Sequence, residues 1–303
     1  MTNPCPENDW IAVDWGTSNL RVWVMRGTAI VERLDADQGM GSIAPKDFEP
    51  VLLSLISPFL GPHKTPVVIC GMAGSRQGWA EAPYTSVPCG PPGLRHAVRV
   101  ATKDPRLSVS ILPGIKQDAP ADVMRGEETQ ILGYLAKNPD FSGVICLPGT
   151  HSKWAQISDG KIEHFRTFMT GELFALLSKS SILRFSVGSD VDVDAFETAV
   201  SDMIRRPEDF NADLFGLRAG TLIGDLSGDE AMGRLSGLMV GCELAGARAY
   251  WQNQNVALIG ASQIVKLYAR ALATQGVTAD IASGEDSVLA GLSAAQHSLE
   301  DQI

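Results

Sequence analysis

One pattern, used twice, limits what this chain can fold into more than anything else in it. Residues 10–26 read Trp-Ile-Ala-Val-Asp-Trp-Gly-Thr-Ser-Asn-Leu-Arg-Val-Trp-Val-Met-Arg: an apolar run reaches Asp14, turns through Gly16-Thr17-Ser18-Asn19 and resumes. From Gly143 the chain reads Gly-Val-Ile-Cys-Leu-Pro-Gly-Thr-His-Ser-Lys-Trp, and an offset of 133 (149 − 16) lays Gly149-Thr150 on Gly16-Thr17, Gly160 on Gly27 and Arg166 on Arg33. Each copy predicts strand, Gly-Thr turn, strand, short Gly turn, strand. In a chain of 303 residues, that repeat predicts two domains of similar topology, each opening on a β-meander.

The turn residues carry a chemical expectation. Gly16 has no Cβ, so the N–H groups around Thr17 can converge on an anion. Asp14 offers the carboxylate oxygen that a hydrated Mg²⁺ prefers, binding it through water. Asp, Gly, Thr, Ser and Asn also build ordinary hairpin turns. The duplication favours the ligand reading: Gly16, Thr17, Ser18 and Asn19 on one side and Gly149, Thr150, His151 and Ser152 on the other are expected to face one another across a cleft and clamp the phosphates of a nucleotide. Leu147 stands where Asp14 does in the first copy, so only the first loop brings a metal.

Composition narrows the class. With 45% hydrophobic and 20% charged residues the chain can fill two cores, and no apolar run is long enough to span a bilayer. Net charge is −10 and Lys and Arg nowhere cluster, which excludes a nucleic-acid partner. The five cysteines (Cys5, Cys70, Cys89, Cys146, Cys242) show no CxxC spacing and read as thiols of a reducing compartment, with Cys70 and Cys146 inside apolar runs. Residues 1–9 lack the basic and apolar regions of a leader, so the expected location is cytoplasmic. Composition leaves a monomer and a homodimer equally open.

Along the chain, the N-terminal domain (1–140) is predicted as strands 10–15, 20–26 and 29–34, helix 47–60, strand 66–70, strand 107–112 and a helix from Glu127 to Leu135. Between strands lies a Gly- and Pro-rich segment, 71–92. Loops after strand carboxyl ends are where α/β sheets bind ligands, so Gly74, Ser75, Trp79 and Tyr84 are substrate candidates. The alternative is a connecting loop whose Trp79 and Tyr84 cover the core. The C-terminal domain (141–284) repeats the meander, opens a helix at Thr170-Gly171-Glu172 and is largely helical over 195–250. Val256 to Ser262 then reads as a strand running through Gly260-Ala261-Ser262 into a helix, a turn able to approach an adenine or ribose. Strand 277–283 and a last helix at about 285–300, packing near the domain junction, complete the reading.

These residues resemble a known group. The twinned Gly-Thr loops, the acidic helix between them and the terminal Gly-Ala-Ser unit look like the actin, Hsp70 and sugar-kinase superfold: α/β, two actin-like (ribonuclease H-like) domains with mixed five-stranded sheets flanked by helices and a ligand cleft between them. Within it, Asp-Trp-Gly-Thr-Ser-Asn-Leu-Arg, Gly-Met-Ala-Gly-Ser, Met-Arg-Gly-Glu-Glu-Thr-Gln, Pro-Gly-Thr-His-Ser-Lys-Trp and Phe-Arg-Thr-Phe-Met-Thr-Gly-Glu-Leu resemble the 2-dehydro-3-deoxygalactonokinase family, from residue 10 to about residue 295. The resemblance implies ATP- and Mg²⁺-dependent phosphorylation of the terminal 6-hydroxyl of 2-dehydro-3-deoxy-D-galactonate, in galactonate breakdown. It also implies a general base at Glu127, because related sugar kinases place a Gly-Asp pair where Gly126-Glu127 stands; Glu128 competes for the role. The substrate's carboxylate needs a donor, and Arg21, Arg125 and Arg166 each adjoin a motif. Thr170 and Glu172 join the substrate pool. A phosphatase or ATPase of the same superfold, and a nucleotide-dependent interaction protein of actin or chaperone type, are the alternatives.

Overall fold

The computed structural model describes residues 9–297. Cys5, the leader reading of residues 1–8 and the last residues of the expected terminal helix, 298–300, lie outside the described residues. The chain forms two compact units: residues 9–141, 159–163 and 284–297, and residues 142–158 and 164–283.

In the first unit, alternation along the opening strand sets the layers. Strands β1 (Trp10–Trp15), β2 (Leu20–Arg26) and β3 (Ala29–Ala36) pair antiparallel in sequence order, with Asp14 opposite Arg21. Ile11, Val13 and Trp15 point to one face, where they pack with Phe48 and Leu52 of helix α1 (Phe48–Ile56). β4 (Thr65–Gly71) runs parallel to β1 and sets Cys70 beside Asp14. After β5 (Tyr84–Ser86) and β6 (Val98–Val100), β7 (Leu107–Ile111) extends the sheet. β8 (Gly114–Asp118) and β9 (Ala121–Met124) lead into α2 (Glu127–Lys137). The sheet order is β3-β2-β1-β4-β7-β6, and β5-β8-β9 make a small second sheet.

The second unit repeats the design. β10 (Gly143–Leu147), β11 (Ser152–Ser158) and β12 (Lys161–Phe168) form its meander, followed by helices α3 (Thr170–Lys179), α4 (Val193–Arg205), α5 (Phe210–Ile223), α6 (Gly228–Gly246) and α7 (Arg248–Trp251). β13 (Val256–Gly260), α8 (Ser262–Ala273) and β14 (Ala279–Ser283) complete a sheet ordered β12-β11-β10-β13-β14, in which β13 runs parallel to β10. Two antiparallel strands beside a parallel set, in the same order in both sheets, are the actin-like arrangement that the duplicated sequence implies.

Helix α9 (Gly284–His297) returns to the first unit. Its Val288, Leu292 and Ala295 cover the opposite face of the first sheet, against Trp10, Ala12, Trp23 and Met25. It presses on α2 so closely that a Cβ on Gly133 would stand 1.8 Å from the Ser287 carbonyl oxygen, and one on Gly291 1.9 Å from that of Thr129.

Three features differ from the sequence reading. The helix expected over 47–60 stops at Ile56 and continues as a tight turn, Ser57–Phe59, because Pro58 has no N–H to donate and its ring crowds the preceding turn. The first sheet carries a sixth strand, β6, antiparallel to β7. The β5-β8-β9 sheet was not foreseen: its hairpin, Lys-Gln-Asp-Ala-Pro-Ala-Asp, is too polar to show strand alternation.

Candidate active site

Asp14 stands where β1 ends and the Gly16–Asn19 turn begins. Arg21 Nη1 donates to its Oδ2 at 3.2 Å, and Cys70 Sγ lies 3.8 Å from Oδ1. Burial raises the Asp14 carboxyl above its ordinary value; Arg21 opposes this, while Glu127 and Glu285 push it further up. Arg21, a candidate for gripping substrate, is therefore engaged with Asp14. The turn is held from behind: Met40 N–H donates to the Gly16 carbonyl (3.0 Å), Gly41 to Thr17 (2.9 Å) and Gly39 to Ser18 (3.2 Å). With those carbonyls drawn inward, Thr17, Ser18 and Asn19 form an exposed turn.

The N-terminus of α2 meets this site through glycines. Gly71 ends β4 at φ +87° and Gly126 precedes α2 at φ +105°, conformations that side chains rarely adopt, and the two backbones nearly touch there. Glu127 and Glu128 then fold back over the helix start. Arg125 N–H donates to Glu127 Oε2 at 3.0 Å and Gly126 N–H to Glu128 Oε2 at 2.7 Å. They differ in environment. Glu127 is half-buried and near enough to Asp14 to shift its proton affinity. Glu128 is 1% exposed, accepts a second bond from Thr129 Oγ1 at 3.0 Å, and is pushed up to about 8 by burial and by the Glu127 charge.

The 71–92 segment brings Gly74 and Tyr84 to Arg125, with the buried Ser75 next in the chain after Gly74. The Arg125 guanidinium lies 4.4 Å over the Tyr84 ring, and Nη2 donates to the Ala82 carbonyl at 2.8 Å. Trp79 goes elsewhere: it packs on Phe48 and Trp15 in the core, because its ring fills the space above α1.

In the second unit, Gly149 and Thr150 form the turn after β10, backed by Gly171 of α3, where a Cβ would stand 2.3 Å from the Gly149 oxygen. Gly39 backs the first turn in the same way, at 2.3 Å from the Thr17 oxygen. Each lies three residues past the end of the third strand of its meander, Ala36 and Phe168, so the duplication includes these supports. His151 Nε2 lies 2.5 Å from Glu172 Oε2, and Glu172 N–H donates to the Thr150 carbonyl. The side chain of Ser152 is fully buried and bonded to Tyr268 Oη, so it points away from any ligand of the turn. Thr170 likewise turns inward. Arg166 is exposed, 5.8 Å over the Phe168 ring. Gly260, Ala261 and Ser262 form the step from β13 into α8 and lie at or near the surface.

Glu243 escaped the sequence reading. It is 2% exposed, accepts from Trp154 Nε1 (2.8 Å) and Tyr268 Oη (2.7 Å), and is also bonded by Thr170 and Ser152. Burial raises its carboxyl despite these donors. It ties β11, α3 and α8 together around the residues that flank the Gly149 turn. The available signal was a lone carboxylate in the Gly-Leu-Met-Val-Gly-Cys-Glu-Leu-Ala run.

A duplicated actin-like fold with a carboxylate beside its first Gly-Thr turn and a second carboxylate at a helix start fits the class of sugar kinases that the sequence resembles. Residues 14–295 match the family described as 2-keto-3-deoxy-galactonokinase, and the chain belongs to that family of sugar-acid kinases. It is 38% identical to a protein of Rhizobium meliloti (strain 1021) named as a probable 2-dehydro-3-deoxygalactonokinase, over 96% of this chain and 97% of that one. It is 32% identical to the 2-dehydro-3-deoxygalactonokinase of Escherichia coli (strain K12), over 96% and 98%. The crystal structure of a Sinorhizobium meliloti protein described as the same kinase superposes with TM-score 0.90 at 37% identity, covering 96% of this chain and 99% of that one.

Proposed function

We propose that the chain transfers the γ-phosphoryl group of ATP to the terminal 6-hydroxyl of 2-dehydro-3-deoxygalactonate, in the cytoplasm, with Glu127 as general base. The observation that carries this is the pairing of Asp14 with Glu127 at the joined ends of β1, β4 and α2. The hydroxyl oxygen attacks the γ-phosphorus, its proton passes to Glu127, and ADP leaves. In the first unit the exposed residues Thr17–Asn19 offer backbone amides to phosphate oxygens, while the Gly16 amide closes the turn on the Asn19 carbonyl; in the second unit the Gly149–His151 turn is a phosphate candidate and the β13–α8 step a nucleoside candidate. Glu128 serves as an internal strut: buried and bonded at both oxygens, it holds the helix start that presents its neighbour.

The residues suit Mg²⁺. Asp14 supplies oxygen, Glu127 adds a second carboxylate close enough to raise its proton affinity, Glu285 is taken up by Arg33, and among the described residues no cluster of three ligands forms a dehydrating cage. Mg²⁺ typically takes one or two carboxylates and completes its shell with water and phosphate. When bound it neutralises charge on the phosphoryl oxygens.

The test is a coupled assay of ADP release with and without the keto acid. Release that depends on the acid is expected, and Asp14→Ala should abolish it with the fold retained. Substrate-independent release would favour an ATPase instead, and near-normal kcat in Asp14→Ala at saturating Mg²⁺ and ATP would overturn the metal assignment. The monomeric or dimeric state is measured in the same preparation by light scattering.

A further inference from the structure

Among the described residues, the buried side-chain polar atoms without a hydrogen-bond partner are Ser75 Oγ, Arg125 Nε and Arg125 Nη1, and Ser75 directly follows Gly74, whose backbone lies against Arg125. A Cβ on Gly74 would stand 2.8 Å from Nη1, so the guanidinium lies against the backbone one residue before Ser75. The groups described around its charge are neutral: the Ala82 carbonyl on Nη2 and the Tyr84 ring. Tyr84 is 37% exposed and rests an edge of its ring on Gly114, so the cover over these donors is a surface side chain. Buried donors are nearly always paired, and a cation left with unpaired ones is a place prepared for an acceptor.

We propose that Arg125 and Ser75 form the subsite that recognises the carboxylate of the sugar acid, a proposal that rests on the kinase reading above. The other two arginines near the motifs are less suited: Arg21 is bonded to Asp14, and Arg166 is exposed. Placement agrees with the chemistry. The backbone amide of Arg125 donates to Glu127, so the arginine that carries the guanidinium also holds the proposed base. In the substrate the carboxylate and the accepting hydroxyl stand at opposite ends of a short carbon chain. The guanidinium then selects an acid over the corresponding neutral sugar, since a site built around unpaired donors rejects a ligand that cannot satisfy them.

The test compares 2-dehydro-3-deoxygalactonate with its primary carboxamide, which keeps every hydroxyl and loses the charge. In Arg125→Met, kcat/KM for the acid is expected to fall about a hundredfold or more, while the carboxamide and the KM for ATP change by less than about threefold. Ser75→Ala should lower the acid by a smaller factor in the same direction, and Arg125→Lys should recover part of the loss. Calorimetric titration of the acid without nucleotide should show the same order of affinities. Equal losses for acid and carboxamide, or no loss for the acid, overturn the subsite. Should Arg125→Met not fold, Arg125→Gln keeps the side chain polar without its charge, and an unchanged preference for the acid in that variant counts against the proposal. A wild-type enzyme that transfers no phosphate to the acid instead overturns the kinase reading, a result that the variants cannot mimic.

Discussion

Neighbouring glutamates in this chain have unlike surroundings, and the difference separates their roles. Glu127→Gln should lower kcat about 10²–10⁴-fold, the usual worth of a general base, whereas Glu128→Gln should lower it less than tenfold; steady-state kinetics of the two purified variants decide. Glu128 has a second, independent signature. Its folded-state value of about 8 lies above the ordinary 4.5, so the folded chain holds a proton that the unfolded chain releases. The resulting stabilisation is complete below about pH 4.5 and is lost as pH rises toward 8, with a slope of at most about 1.4 kcal/mol per pH unit. Urea titrations from pH 5 to 8 should show stability falling for the wild type and a shallower fall for Glu128→Gln. Glu243, also raised by burial, contributes a slope of the same sign, so the variant flattens the curve without levelling it.

Secondary-structure elements approach closely at glycines, and the cost of adding a methyl group there depends on what it meets. Gly133→Ala or Gly291→Ala should destabilise the chain by about 3 kcal/mol or more, since the new atom meets backbone of the partner helix. Gly216 of α5 meets nothing within 4 Å, so Gly216→Ala should stabilise by up to about 1 kcal/mol through helix propensity. Chemical denaturation of the three variants measures both signs. The same elements show what could be read beforehand. The meander strands were legible because apolar runs ending in Gly-Thr repeat at a fixed offset, and the place of Asp14 at the end of β1 because the apolar run stops there. The direction of Ser152 was legible in principle: it is two residues from Trp154, and alternate residues of a strand share a face. Glu243 was hidden because its donors come from β11, α3 and α8, a convergence that only the folded chain creates. Arg125 stood among three equivalent candidates until burial and partners distinguished them.

At the level of the whole chain, duplication supplies the architecture and one helix breaks its order. The first sheet lies in residues 9–141, yet one of its faces is covered by α9, at the other end of the sequence. Ending the chain at Ser283 removes Val288, Leu292 and Ala295 and uncovers Trp10, Trp23 and Met25, a loss of about 5 kcal/mol by apolar area, comparable to the whole stability of many domains. Hydrogen exchange of that truncated chain should show amide protection lost over 9–141 and kept over 142–158 and 164–283.

The placement of α9 also sets a timetable. On the ribosome, domains generally complete as they emerge, N-terminal ones first. Here the first sheet to be synthesised must wait, one side bare, until the final helix is released, while the sheet made second has all its own strands and helices by Ser283. The half of the enzyme translated earliest is thus the half that matures last, and its tryptophan-rich face is the surface a chaperone would have most reason to shield in the interval.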